Sequence, residues 1–223
     1  MLAGAALITS ASLDYFDFET LPPFVIEKLP LRFEALWLGS LRVHVASALV
    51  SLPLCLLLAT RTLQRYAVWH RWLGRVAAGL VLFALVPSGF VLALDAKGGV
   101  VVTLGFLLSG ALVAWFVVQG VRSARRRELA AHARAMRHVL AQMSVAVTSR
   151  ALIVGLDVLG VDPDRSYVIA LWVPVLASAA LVEWLCWRPA SLSLLASTQG
   201  RSGGWLSSAA TPKIRARSVR SAV

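Results

Sequence analysis

His70-Arg71-Trp72-Leu73-Gly74-Arg75 ends one basic loop and opens an apolar run that continues to Leu94. Arg61 and Arg65 lie just ahead of it. A second basic stretch, Arg122 to His138, repeats the arrangement with an apolar run on either side. Crossing a bilayer takes about 20 apolar residues in a helix, and the runs around both stretches are that long. The pattern predicts an all-α fold, a polytopic transmembrane helix bundle of about five spans.

Composition agrees. The 223-residue chain is 58% hydrophobic and only 15% charged, against about half and about a quarter in soluble domains. Its mean hydropathy is +0.75. The net charge of +11 raises the question of nucleic acid. The arginines sit in short loops between apolar runs, however, which is the pattern of cytoplasmic loops in membrane proteins. The partner implied is the lipid bilayer, with no nucleic acid. Arg outnumbers Lys, and Ala, Val and Leu dominate, as in proteins of GC-rich bacteria. Cys55 and Cys186 each lie inside an apolar run, without a C-x-x-C pair, and read as packing residues.

Taken in order, residues 1–37 form a non-cytoplasmic N-terminal segment. Met1 to Ser12 is apolar but too short to span, so it is either interfacial or the remnant of a truncated first helix. Asp14 to Glu34 is acidic and aromatic, suited to the headgroup level. The transmembrane domain occupies 38–188, with spans at about 38–60, 73–94, 100–121, 139–159 and 167–187. Pro53 and Pro87 are expected to bend the first two. Ser47, Ser51, Gly74-x-x-x-Ala78, Gly105-x-x-x-Ser109 and Gly110-x-x-x-Ala114 supply the small residues that let helices approach closely. Asp95-Ala96-Lys97-Gly98-Gly99 is a tight turn. Residues 189–223 read as a disordered basic tail. Basic loops and tail on one side, acidic segments on the other, put the C-terminus in the cytoplasm and the protein in the plasma membrane.

No nucleophile elbow, phosphate loop, dinucleotide motif or zinc-protease helix is present, so no enzymatic activity is indicated. Ionisable residues in or beside the spans remain the candidates. His44 lies in the first span, where an interhelical hydrogen bond competes with haem ligation. His70 opens the second span; His132 and His138 open the fourth. Two imidazoles on facing helices are what a six-coordinate b-type haem requires, and His70 meets the depth condition with either His132 or His138. Met136 is an alternative ligand. Gln142, Ser149, Arg150 and Asp157, spaced by about two turns, form a polar stripe on the fourth span. Arg150 needs an acidic partner, either Glu183 or Asp157, and an Arg150–Glu183 pair would suit a small transporter.

His44, then His70-Arg71-x-x-Gly74-Arg75, Gly98-Gly99, Gly105-Phe106, Trp115, His132-x-Arg134-x-Met136, Arg150, Trp172 and Glu183 follow one another in an order that resembles a bacterial family of multi-pass membrane proteins of unknown function. The likeness covers about residues 37–188. It implies a helical membrane bundle and supplies no activity. The leading expectation is an integral membrane protein of unknown specific activity, associated with itself or with another membrane protein. The alternatives are a haem-b electron-transfer module and a small transporter.

Overall fold

A computed structural model describes Phe16 and residues 33–202, with side chains through Trp187. The acidic stretch before Phe33 and the basic residues after Ser202 lie outside the described residues. The helices are α1 (Glu34–Leu58), α2 (Arg61–Gln64), α3 (Ala67–Leu80), a π-helical segment (Val81–Leu85), α4 (Val86–Leu94), α5 (Gly99–Arg125), α6 (Leu129–Val158) and α7 (Pro163–Ser202). There is no strand among the described residues. Five helices are long and apolar enough to cross a membrane, with α3, the π segment and α4 acting as one. The fold is an all-α bundle of five spans, as the apolar runs require.

The chain divides into two units, Met1–Glu183 and Trp184–Val223. The second is helical as far as Ser202. The tail was expected from residue 189, and the helix runs past that point. Leu192, Leu194, Leu195 and Ala196 are good helix formers, and no proline occurs between Pro189 and Ser202.

In the first unit α1 lies along α3, the π segment and α4; α4 packs on α5, and α5 on α6. One core cluster joins Val81, Val86, Val113, Val117, Val139 and Met143. A second, of Val102, Val145, Leu171 and Val175, fastens α7 to α5 and α6. The bundle interior also takes polar residues, among them Ser47, Ser51, Ser88, His138 and Gln142. Large apolar side chains such as Phe83, at 83% exposure, and Val158, at 81%, point outward. In water these would form an aggregation-prone patch; against lipid tails they are at home.

Proline chemistry shows most clearly before Pro87. Proline has no N–H to give the carbonyl four residues back, and its ring crowds that carbonyl. The turn ahead of it widens, so that Val86 N–H reaches Val81 O, five residues back. The second span thus passes through a π segment, a feature that accommodates strain of this kind.

Between α4 and α5, Gly98 has φ +100° and a Cβ there would lie 2.6 Å from Val102 Cγ2. Val102 is fully buried and has nowhere to move. Gly98→Ala is therefore expected to destabilise by about 1–3 kcal/mol. At Gly99 φ is +69° with nothing near, so Gly99→Ala should cost less. Thermal unfolding of both variants in one detergent tests the order.

Candidate functional site

The basic end of the bundle gathers three of the four histidines. His70 lies three residues into α3 and His132 three residues into α6, so each sits about 4.5 Å along its helix. Their ring centroids are 6.4 Å apart and the rings nearly perpendicular, at 85°. His132 Nδ1 lies 2.9 Å from Gly120 O, a contact in which Nδ1–H donates to the carbonyl and leaves Nε2 with its lone pair outward. Gly120 is where α5 and α6 meet closely: a Cβ there would fall 2.1 Å from Met136 Cε. His70 Nδ1 is buried with no hydrogen-bond partner among the described residues. Neither ring's Nε2 is buried or hydrogen bonded among the described residues.

His138 has a different setting. It stacks face to face on Phe116 of α5, centroids 4.0 Å apart and planes within 5°. Its Nε2 lies 2.8 Å from Glu183 Oε1 of α7, and the other carboxylate oxygen of Glu183 pairs with Arg134. His138 is 2% exposed. Six residues separate it from His132, which at 100° per residue turns it about 120° away from the His132 face. His70 and His132 therefore meet, while His138 turns to α5 and α7.

His44, the fourth, stands apart. Its Nδ1 is 3.0 Å from Leu85 O, at the end of the π segment, and 3.3 Å from Ser88 Oγ. Gly89 leaves room for the ring, since a Cβ there would be 3.0 Å from its Cε1. This is the interhelical hydrogen bond that histidines make in membrane bundles.

The polar stripe on α6 separates. Gln142 is buried and donates from Nε2 to Val175 O at 3.1 Å and to Ser178 Oγ at 3.0 Å. Arg150 and Asp157 are exposed. Eight residues leave Arg150 about 80° round the helix from Gln142. Arg150 bonds its own helix at Ala146 O, 2.8 Å away. The expected Arg150–Glu183 pair does not form. Arg150 lies eight residues from the end of α6 and Glu183 twenty from the start of α7, a difference in depth of about 18 Å. Glu183 is satisfied instead by Arg134 and His138.

Gly105 and Gly110 seat α5 against two different neighbours. A Cβ at Gly105 would meet Leu171 and Trp172 of α7, and one at Gly110 would meet the Phe90 ring of α4. At Gly74 a Cβ would meet nothing within 4 Å, so that motif makes no close approach. Phe116 and Gly120 escaped sequence reading, because an aromatic and a glycine inside an apolar run carry no chemical signature of their own.

Residues 41–187 match the family described as "Predicted membrane protein (DUF2306)". The chain belongs to the DUF2306 family. That span takes in His44, the His70–His132 pair, the Arg134–Glu183–His138 cluster and all of the packing just described. No curated protein and no solved structure matches the chain. This DUF2306 protein is thus an integral, multi-pass membrane protein of unknown specific activity, whose environment is a lipid bilayer.

Proposed function

We propose that this DUF2306 protein is a haem-b electron-transfer module in which His70 and His132 would hold the haem. The observation that carries the reading is the spacing of the two rings. Two imidazole nitrogens opposed across one metal, each about 2 Å from it, put their ring centroids roughly 6–6.5 Å apart. The same bonds in a tetrahedral arrangement bring the centroids to about 5 Å. The observed 6.4 Å is closer to the first of these values. The Gly120 carbonyl holding His132 Nδ1 is the kind of outer contact that fixes a ligand's tautomer and orientation.

The haem would supply one-electron chemistry; the chain's part is to hold it and set its surroundings. Arg71 and Arg75 on α3 and Arg122 and Arg125 on α5 are at the same end, suited to the propionate carboxylates. His138 and His44, already engaged elsewhere, supply no second axial pair, and Met136 fills the space beside Gly120. The basic loops and the C-terminus are assigned to the cytoplasm and the protein to a bacterial plasma membrane, on the positive-inside pattern. The domain limits follow the same reading: 1–37 outside, 38–188 in the membrane, 189–223 as a basic tail. An exposed Arg150 in a lipid-facing position costs about 2.5–3.5 kcal/mol on insertion scales, which favours a second copy or another membrane protein over that face.

A visible spectrum of the purified, haem-supplemented protein tests the proposal. A sharp Soret band, with α and β bands on dithionite reduction, is the expected result. A flat spectrum from folded protein overturns it.

A further inference from the structure

Along α3 and the π segment, one apolar stripe faces away from the bundle. Trp69, Trp72, Val76, Gly79 and Phe83 recur at intervals of three and four residues, the spacing of a single helix face. Trp69, Trp72, Val76 and Phe83 are all exposed. A Cβ at Gly79 would meet nothing within 4 Å, so this glycine serves no contact inside the bundle. It leaves a notch in the outer face between Val76 and Phe83. Trp72 to Phe83 is about 16 Å along the axis, and the hydrocarbon of one leaflet is about 15 Å deep. The stripe therefore runs from the headgroup level, where indole rings settle, to the middle of the bilayer.

The head of the stripe is cationic. Thr60 caps α2, and Tyr66, with φ −97° and ψ 79°, turns the chain into α3. That corner sets Arg61 and Arg65 ahead of the first turn of α3, with Arg65 four residues before Trp69. Both arginines are exposed, and neither pairs with a carboxylate among the described residues. Of the acids at this end, Glu183 is taken by Arg134 and Glu128 stands at the start of α6. Lipid tails alone would satisfy the stripe and leave its head uncompensated. A second copy on this face, related by a two-fold axis along the membrane normal, would set Arg61 and Arg65 against their own counterparts. Like charges opposed across an interface disfavour that arrangement. A phospholipid with an anionic headgroup supplies both halves, a phosphate for the guanidinium groups and an acyl chain for the apolar stripe.

We propose that this face holds one anionic phospholipid of the leaflet at the basic end. Arg61 and Arg65 take the headgroup, and the indole rings of Trp69 and Trp72 lie at the level of the glycerol. One acyl chain follows Val76 and the Gly79 notch down to Phe83. The site uses neither His70 nor His132, nor the arginines assigned to the propionates, so it does not depend on haem.

Native mass spectrometry of the delipidated full chain tests this, with phosphatidylglycerol and phosphatidylcholine of identical acyl chains added in turn. The expected result is one phosphatidylglycerol retained per chain at a concentration where phosphatidylcholine is lost. Arg61→Gln/Arg65→Gln should weaken phosphatidylglycerol binding about 25-fold, roughly fivefold for each guanidinium removed from the headgroup. Its phosphatidylcholine binding should stay as in the wild type. Gly79→Leu fills the notch and should weaken both lipids, while helix content by circular dichroism stays unchanged. Arg126→Gln/Arg127→Gln is the control, because it removes the same charge from the α5–α6 turn at the same end. An equal loss of phosphatidylglycerol in the control would mean diffuse attraction to the basic end, and would overturn the site. Equal retention of the two lipids by the wild type overturns it without any variant. A lipid-free dimer that Gly79→Leu dissociates would put a second copy on this face and overturn it as well.

Discussion

His132→Ala is expected to abolish low-spin haem binding, while His44→Ala retains it. His132 is the better of the two proposed ligands to remove, because its orientation is fixed from behind. Nδ1 lies 2.9 Å from Gly120 O, which fixes the tautomer and leaves the lone pair on Nε2. Alanine removes that ligand, and no other imidazole among the described residues lies on the same face of α6. His138 is six residues on, faces elsewhere, and is held by Phe116 and Glu183. The Soret band of His132→Ala should collapse to the wild-type apoprotein baseline or shift to a five-coordinate form. His44→Ala loses an interhelical hydrogen bond, worth about 0.6 kcal/mol on average in a membrane bundle, and should keep the wild-type spectrum. Loss in both variants would point to general misfolding, and retention in His132→Ala would remove this residue from the site. Absorbance, with circular dichroism as the folding control, separates these outcomes.

The same residues show how far the chain can be read before its structure is seen. Apolar runs longer than a bilayer, divided by basic loops, fix the number of helices and which ends lie together, because length and charge are one-dimensional properties. Depth is legible for the same reason: His70 and His132 could be matched by counting from the helix starts. Rotation is not. Whether His132 or His138 faces α3 depends on about 120° around α6, and whether Arg150 shares the Gln142 face depends on about 80°. Those angles gain meaning only once the neighbours of α6 are known. Backbone acceptors are illegible altogether. His44 finds Leu85 O beside a π turn, and Trp172 Nε1 finds Val101 O at 3.2 Å, and a carbonyl leaves no mark in a sequence. Glycines lie between these cases: spacing flagged Gly105 and Gly110 as contact points and could not say that one receives α7 and the other α4.

Gly105→Leu is expected to be strongly destabilising. Gly105 is buried, and a Cβ alone would come 2.6 Å from Leu171 Cδ2, 3.1 Å from its Cγ and 3.2 Å from Trp172 Nε1. Leu171 is 4% exposed and packed with Val102, Val145 and Val175, so it cannot swing aside without opening that cluster. Trp172 Nε1 donates to Val101 O, and Val101 lies one turn before Gly105, so displacing the indole breaks that bond as well. Overpacking a filled core costs about 1–3 kcal/mol, and the lost hydrogen bond adds about 0.5–1.5 kcal/mol. Gly39 and Gly155 provide the controls, since a Cβ at either meets nothing within 4 Å. Alanine at those positions should leave stability unchanged or raise it slightly, by up to about 1 kcal/mol from helix propensity. Unfolding in a mild detergent, followed by circular dichroism, should rank Gly105→Leu far below Gly39→Ala and Gly155→Ala. Equal stability across the three would mean that α7 does not rest on α5 at Gly105, and the second core cluster would have to be redrawn.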